Sequence, residues 1–209
     1  MYDSSISGNV TSLTSGPAIS DFEILKLFKV SIHHPKAPNI VEVIWSPPLQ
    51  GWIKCNTDGT SVGNPGIAAC AGIFRNNLGA NLGCFAHYIG VANALYAEIM
   101  GIILAIECAV DRNWRQLWIE SDSKLAVSAF KNSSIIPWQL KNRWLNCMCK
   151  VRNIQIIVSH VYREGNSVAD MLANLGLTVT DFTWWHTAPP SISDDLAKNR
   201  DGRPYYRFC

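Results

Sequence analysis

The sequence predicts a mixed α/β domain: a five-stranded mixed sheet, with an antiparallel three-strand meander followed by parallel strands, flanked by helices. Two patterns and one bulk property predict it. Three strand-like runs follow one another over residues 52–89, and strand-like and helical runs then alternate to residue 175. Apolar residues make up 48% of the chain and charged residues only 16%, the composition of a core-forming globular chain.

The elements follow in order. Residues 1–50 are punctuated by Pro17, Pro35, Pro38, Pro47 and Pro48, with one amphipathic run at 22–30 and one strand candidate at 40–45. This reads as a loosely ordered extension. Residues 52–58 form the first strand, and 67–75 and 82–89 a hairpin joined by the turn-rich NNLGAN. Residues 94–112 have the length and the Ala/Leu/Ile content of a helix that is apolar nearly all round, hence buried. A strand at 117–122, a helix at 123–131, a helix opened by Pro137 and running to about 150, a strand at 154–159 and a helix at 166–175 closed by Gly176 complete the order β-β-β-α-β-α-α-β-α. Strands in meander followed by strands alternating with helices make a mixed sheet. The domain is thus expected at 51–176, with an aromatic tail at 177–209 that packs back on it or trails away.

At 209 residues the chain holds one domain of ordinary size. The longest apolar run, 99–106, is broken by Gly101 and is too short to cross a bilayer. The first twenty residues lack the basic and apolar regions of a secretory leader. The seven cysteines are scattered through apolar segments, and Cys147 and Cys149 have no histidine nearby to complete a zinc site. Reduced packing cysteines in an intracellular protein of nucleus or cytoplasm, monomeric and free of membrane, are the expectation. Residues 51–176 carry 11 basic and 8 acidic side chains. With four of those acids neutralised by metal, that segment becomes a basic surface suited to a phosphate backbone.

Four carboxylates stand where a purely structural chain rarely puts them. Asp58 ends the first strand, Glu98 lies among apolar residues of the first long helix, Asp122 ends the fourth strand, and Asp170 sits in an apolar helix. A buried carboxylate without a partner costs several kcal/mol, and no arginine is evident at neighbouring positions. A shared cation removes the problem for all four. Taken singly, each has a plainer reading: Asp122 as a helix N-cap, Glu98 as a favourable charge near a helix start, Asp58 as a turn residue.

Together, TDGTSVGNPG, the glutamate of the first buried helix, ESDS and SHVYREGNSVAD resemble type 1 ribonuclease H, in the form found in plant LINE-type (non-LTR) retroelements. The phrases DG-x-x-x-GNPG and H-x5-N-x3-D are the specific ones, and the resemblance covers about residues 50–176. It implies a ribonuclease H fold and an endonuclease that hydrolyses the RNA strand of RNA/DNA hybrids. It implies two magnesium ions, replaceable by manganese, on Asp58, Glu98, Asp122 and Asp170, with Asp58 bridging. His160 matches a mobile histidine that assists proton transfer or product release. Gly59, Thr60, Ser61 and Asn64 match a loop that meets the RNA strand, and Lys124 stands where a glutamine is common. Asn166 matches a structural asparagine. A former or present linkage to a reverse transcriptase also follows from the resemblance.

Two-metal chemistry accounts for the carboxylates: it activates water and stabilises the leaving 3′-oxygen without a protein nucleophile, and oxygen-only ligation selects magnesium or manganese. The chain departs from many relatives in lacking a basic, Trp-rich protrusion between the middle helices, and Ala94 and Leu95 cannot make polar contacts before Glu98. The alternative reading is therefore a hybrid- or RNA-binding module of retroelement origin with little turnover.

Overall fold

A computed structural model describes residues 38–209; the amphipathic run at 22–30 lies outside them. Strand β1 (Ile40–Val43) is followed by β2 (Ile53–Gly63), β3 (Gly66–Arg75) and β4 (Asn81–Ala92). These last three form the meander, each antiparallel to the next. The strand β2 does not stop at Asp58 but runs five residues beyond it. Its hairpin to β3 turns on Asn64 and Pro65, joined by a cis peptide, with Gly63 at φ +112°. The turn-forming glycines of TDGTSVGNPG hide the β-prone Thr60–Val62 stretch, which pairs with β3 through Val62 opposite Ile67.

Helix α1 (Ala94–Asp111) leads into β5 (Gln116–Ser121), which lies parallel to β2. Helices α2 (Lys124–Ser128) and α3 (Lys141–Val151) precede β6 (Gln155–His160), parallel to β5, and α4 (Ser167–Leu175) follows. The two middle helices are shorter than expected, because α2 gives way to a 3-10 turn capped by Asn132 and Pro137 opens a 3-10 turn before α3. The sheet has six strands rather than five, in the order β6-β5-β2-β3-β4-β7. The sixth, β7 (Thr183–Trp185), comes from the aromatic tail and pairs antiparallel to β4. Helix α5 (Ser193–Arg200) and strand β8 (Tyr205–Phe208) complete the order, and β8 pairs with β1 in a separate two-stranded sheet.

Two apolar layers hold the sheet. On one face Cys55, Phe74, Phe85, Leu117 and Ile119 pack against Ile99, Ile102, Ile103 and Ile106 of α1, which Trp144 and Cys147 of α3 cover from outside. Sheet on one side and helix on the other explain why α1 is apolar nearly all round. On the opposite face Ala71, Ile73, Cys84 and Ala86 meet Val168, Leu172 and Ala173 of α4. The tail adds to the first layer: a Cβ on Gly83 (φ +143°) would lie 2.1 Å from the Trp184 ring, so the glycine leaves the space that the indole fills. Arg112 stacks on that ring at 3.5 Å. The compact unit runs Ile40–Arg207 and so extends past residues 51–176 on both sides. All seven cysteines are unpaired and five are buried, and among the described residues no helix is long and apolar enough to cross a membrane.

Candidate active site

Parallel pairing of β2 with β5 sets Thr57 opposite Ser121, so Asp122, just past the C-terminal end of β5, lies beside Asp58 in the middle of β2. Glu98 arrives from α1, and Gly59 lets it come close. A Cβ at Gly59 would lie 2.3 Å from the Glu98 amide nitrogen and 2.4 Å from the Ala97 carbonyl carbon. One carboxylate oxygen from each of Asp58, Glu98 and Asp122 lies within 4.8 Å of the other two. The plainer readings of these acids do not describe their places. Asp58 is in mid-strand. The cap of α2 is Ser123, whose hydroxyl accepts from the Ala126 amide at 3.3 Å. Asn93 caps α1, and Glu98 lies beyond its first turn.

Neighbouring side chains aim two of the three acids. The Ser121 hydroxyl donates to Glu98 Oε2 at 3.3 Å. Asn166, buried, donates through Nδ2 to Asp122 Oδ1 at 3.1 Å and to the Thr57 carbonyl at 3.0 Å. Asp170 stands apart. Its Oδ1 accepts from Arg163 Nη2 at 3.0 Å and its Oδ2 from Asn174 at 3.3 Å. The expected absence of an arginine partner is thus corrected at Asp170. Arg163 lies in the turn before α4, seven positions upstream, a spacing that no simple periodicity marks. Ser121, Arg163 and Asn174 were not singled out from the sequence.

The other expected residues surround this cluster. His160, exposed, ends β6 opposite Ser121 and meets the Tyr162 ring edge-on at 5.9 Å. Thr60 donates to Asn174 Oδ1 at 3.1 Å, and the Ser61 hydroxyl contacts the carbonyls of Gly63 and Ala92, each at 2.8 Å. Asn64 is exposed at the hairpin turn and lines a cavity of about 490 Å³ with Pro65, Asn93, Tyr96 and Gln139. Lys124 is exposed at the start of α2.

Burial, and then repulsion from Glu98, Asp122 and Asp170, raises the pKa of Asp58 well above the ordinary aspartate value. Burial and then Asp122 raise that of Glu98. Three converging carboxylate oxygens, with Asp58 and Glu98 resisting ionisation in the absence of a positive partner, fit a hard divalent cation, which would stabilise their charged forms. A consequence for stability follows. A carboxyl whose folded pKa is raised binds its proton more tightly folded than unfolded, so its contribution is present below the unfolded value and lost as pH rises toward the folded one. For Asp58 that window opens at the ordinary value of 3.8 and extends upward through neutrality. Thermal melts in EDTA are expected to show this site's contribution falling as pH rises from 5 to 8, with Mg2+ raising the melting temperature more at pH 8 than at pH 6. An Mg2+ shift of equal size at the two values would contradict this.

A mixed sheet of this order, with one carboxylate inside β2, another just past the end of the adjacent parallel strand β5 and a third on the first helix, defines a ribonuclease H-like domain. A family model described as reverse transcriptase-like matches residues 56–176, and the chain belongs to that family. It is 31% identical over 176 residues to an Arabidopsis thaliana protein described as a candidate ribonuclease H, a match covering 83% of this chain and 28% of that protein. The chain thus spans little more than a quarter of that relative. It is 27% identical over 148 residues to ribonuclease HI of Halobacterium salinarum, covering 68% of this chain and 72% of that one. Among solved structures it resembles RNase H1 of Halobacterium salinarum, with a TM-score of 0.54 at 26% identity over 60% of this chain and 97% of the other. The N-terminal RNase H domain of a Mycobacterium tuberculosis protein gives a TM-score of 0.56 at 26% identity, covering 60% and 93%.

Proposed function

We propose that the chain is an endonuclease that hydrolyses the RNA strand of RNA/DNA hybrids, leaving 5′-phosphate and 3′-hydroxyl ends. The observation that carries this reading is the convergence of Asp58, Glu98 and Asp122 within 4.8 Å at the end of a ribonuclease H-like sheet. Two divalent cations, Mg2+ or Mn2+, supply when bound an activated water and stabilisation of the leaving 3′-oxygen. Asp58 holds the central place among the ligands. Ser121 and Asn166 fix the carboxylates of Glu98 and Asp122 so that little reorganisation is needed at reaction. Asp170 would join these ligands on giving up its bond to Arg163. His160, exposed at the adjacent strand end, would assist proton transfer to the leaving 3′-oxygen or product release.

Selection of RNA falls to the far half of β2. Thr60 and Ser61 have hydrogen-bond partners within the chain that can take their protons, which leaves the hydroxyl oxygens as acceptors for a 2′-hydroxyl. DNA has no such donor. Relatives named as ribonucleases H support the substrate class, and the family's description supports an origin in a retroelement.

The test is an end-labelled hybrid beside a DNA duplex and an RNA duplex of the same sequence, with Mg2+ present. Cleavage confined to the RNA strand of the hybrid is expected. Salt-sensitive binding of the hybrid without cleavage would instead support a binding module. With few basic side chains to contact phosphates, hybrid affinity by fluorescence anisotropy should be modest and, because the salt slope scales with the number of phosphate contacts, fall only gently between 50 and 200 mM salt.

A further inference from the structure

Side chains at alternate positions of a strand share a face, so Lys54, Asn56 and Asp58 of β2 point the same way. Trp118 and Glu120 of β5, followed by Asp122, lie beside them in register. Beneath the candidate carboxylates there is therefore a row of buried polar side chains that the proposed reaction leaves unused. Lys54 and Arg75 pair across β2 and β3 and are each 1% exposed. Lys54 donates to Glu120 Oε1 at 2.9 Å and to the Ser46 carbonyl at 2.7 Å. A buried charged layer adds little net stability compared with an apolar one of the same shape. What this layer does supply is direction.

Asn56 uses all four of its hydrogen-bonding positions. Its Oδ1 accepts from Arg75 Nη2 at 2.7 Å and from the Trp45 indole N–H at 3.0 Å. Its Nδ2 donates to Glu120 Oε2 and to Asn166 Oδ1, each at 3.2 Å. Asn166, with its oxygen committed to Asn56, has its amide hydrogens aimed at Thr57 and Asp122. The amides are thus polarised in one sense, from indole and guanidinium to carboxylate, and neither can flip without losing its partners. The far end is anchored outside the family match: Arg75 Nη1 donates to Asn199 Oδ1 at 2.8 Å, and Asn199 donates to the Tyr205 hydroxyl at 3.1 Å. Trp45 stacks on the Arg75 guanidinium at 3.7 Å.

We infer that Trp45, Arg75 and Asn199, acting through Asn56 and Asn166, are positioning residues for Asp122, so that the working unit needs segments on both sides of residues 56–176. The inference rests on the proposed function for what Asp122 does. The brace itself is tested by metal binding alone.

The experiment uses the full chain and three variants, Asn56→Leu, Trp45→Phe and Asn199→Ala. Ile73→Ala serves as a control, because it thins the same sheet face opposite Asn56 without touching the amides. Mg2+ binding is measured by calorimetry without nucleic acid, and kcat and KM are measured on hybrid. Asn56→Leu is expected to weaken Mg2+ binding about 10-fold and lower kcat about 10- to 100-fold. Its KM should stay near wild type. Trp45→Phe and Asn199→Ala should shift in the same direction by less, while Ile73→Ala melts lower yet binds Mg2+ as wild type does. Wild-type Mg2+ binding in Asn56→Leu would overturn the inference. Should that variant not fold, wild-type binding in both Trp45→Phe and Asn199→Ala would do so. A wild-type chain that cleaves no hybrid while the variants still lose Mg2+ would sink the proposed activity and leave the brace standing.

Discussion

Asp58→Asn is expected to lower hybrid cleavage by about 10³-fold, since a cation ligand accounts for several kcal/mol of transition-state stabilisation and each 1.36 kcal/mol is tenfold in rate. The same change should make the metal-free protein more stable. Asp58 is 5% exposed and faces three other carboxylates, so in EDTA its charge is uncompensated at high pH. Replacing it with a neutral isostere removes that penalty. A gain of about 1 kcal/mol corresponds to roughly 2–4 °C for a chain of this size. The Mg2+-induced rise in melting temperature should shrink with it. Differential scanning fluorimetry at pH 8, with Mg2+ and with EDTA, reads both effects. A variant that is less stable than wild type in EDTA would mean that Asp58 has a structural partner.

Gly59→Ala is expected to lose both stability and activity. The added Cβ would meet α1 backbone at 2.3 and 2.4 Å, and backbone cannot swing aside as a side chain does. Overpacking of this kind costs about 1–3 kcal/mol, and at such distances the upper end applies. The helix relieves the clash by moving away from β2, carrying Glu98 with it. A misplacement of about 1 Å at a catalytic group costs on the order of 10² in rate. Gly90→Ala is the matched control: it also lies in the sheet, at φ +86°, but a Cβ there meets nothing within 4 Å. It should lower the melting temperature through backbone strain alone and leave kcat unchanged. Equal kcat for Gly59→Ala and wild type would show that α1 need not approach β2 this closely.

What could be read from the sequence was mainly local. Strand-like runs set off by turn residues marked the meander and the parallel strands, and the length and composition of residues 94–112 marked α1, since each signal lies within one element. Asp58, Glu98 and Asp122 stood out because burial and charge conflict at single positions. The later features depend on pairings between distant segments. Trp45 lies in a Pro-rich stretch yet is 3% exposed, because Asn56 and Arg75 hold it. Arg75 reaches Asn199 across 124 positions, and Asn56 reaches Asn166 across 110. The sixth strand exists because Gly83 leaves room for Trp184, a fit that neither residue announces alone. Arg163 has no local signal of its own, and only the turn before α4 brings it to Asp170.

Hybrid cleavage is tested most directly with an end-labelled RNA/DNA hybrid and residues 1–209, with Mg2+ supplied or removed by EDTA. RNA-strand products bearing 5′-phosphates are expected in Mg2+ and none in EDTA. An intact RNA strand in Mg2+, or equal cleavage in EDTA, would contradict the proposed activity.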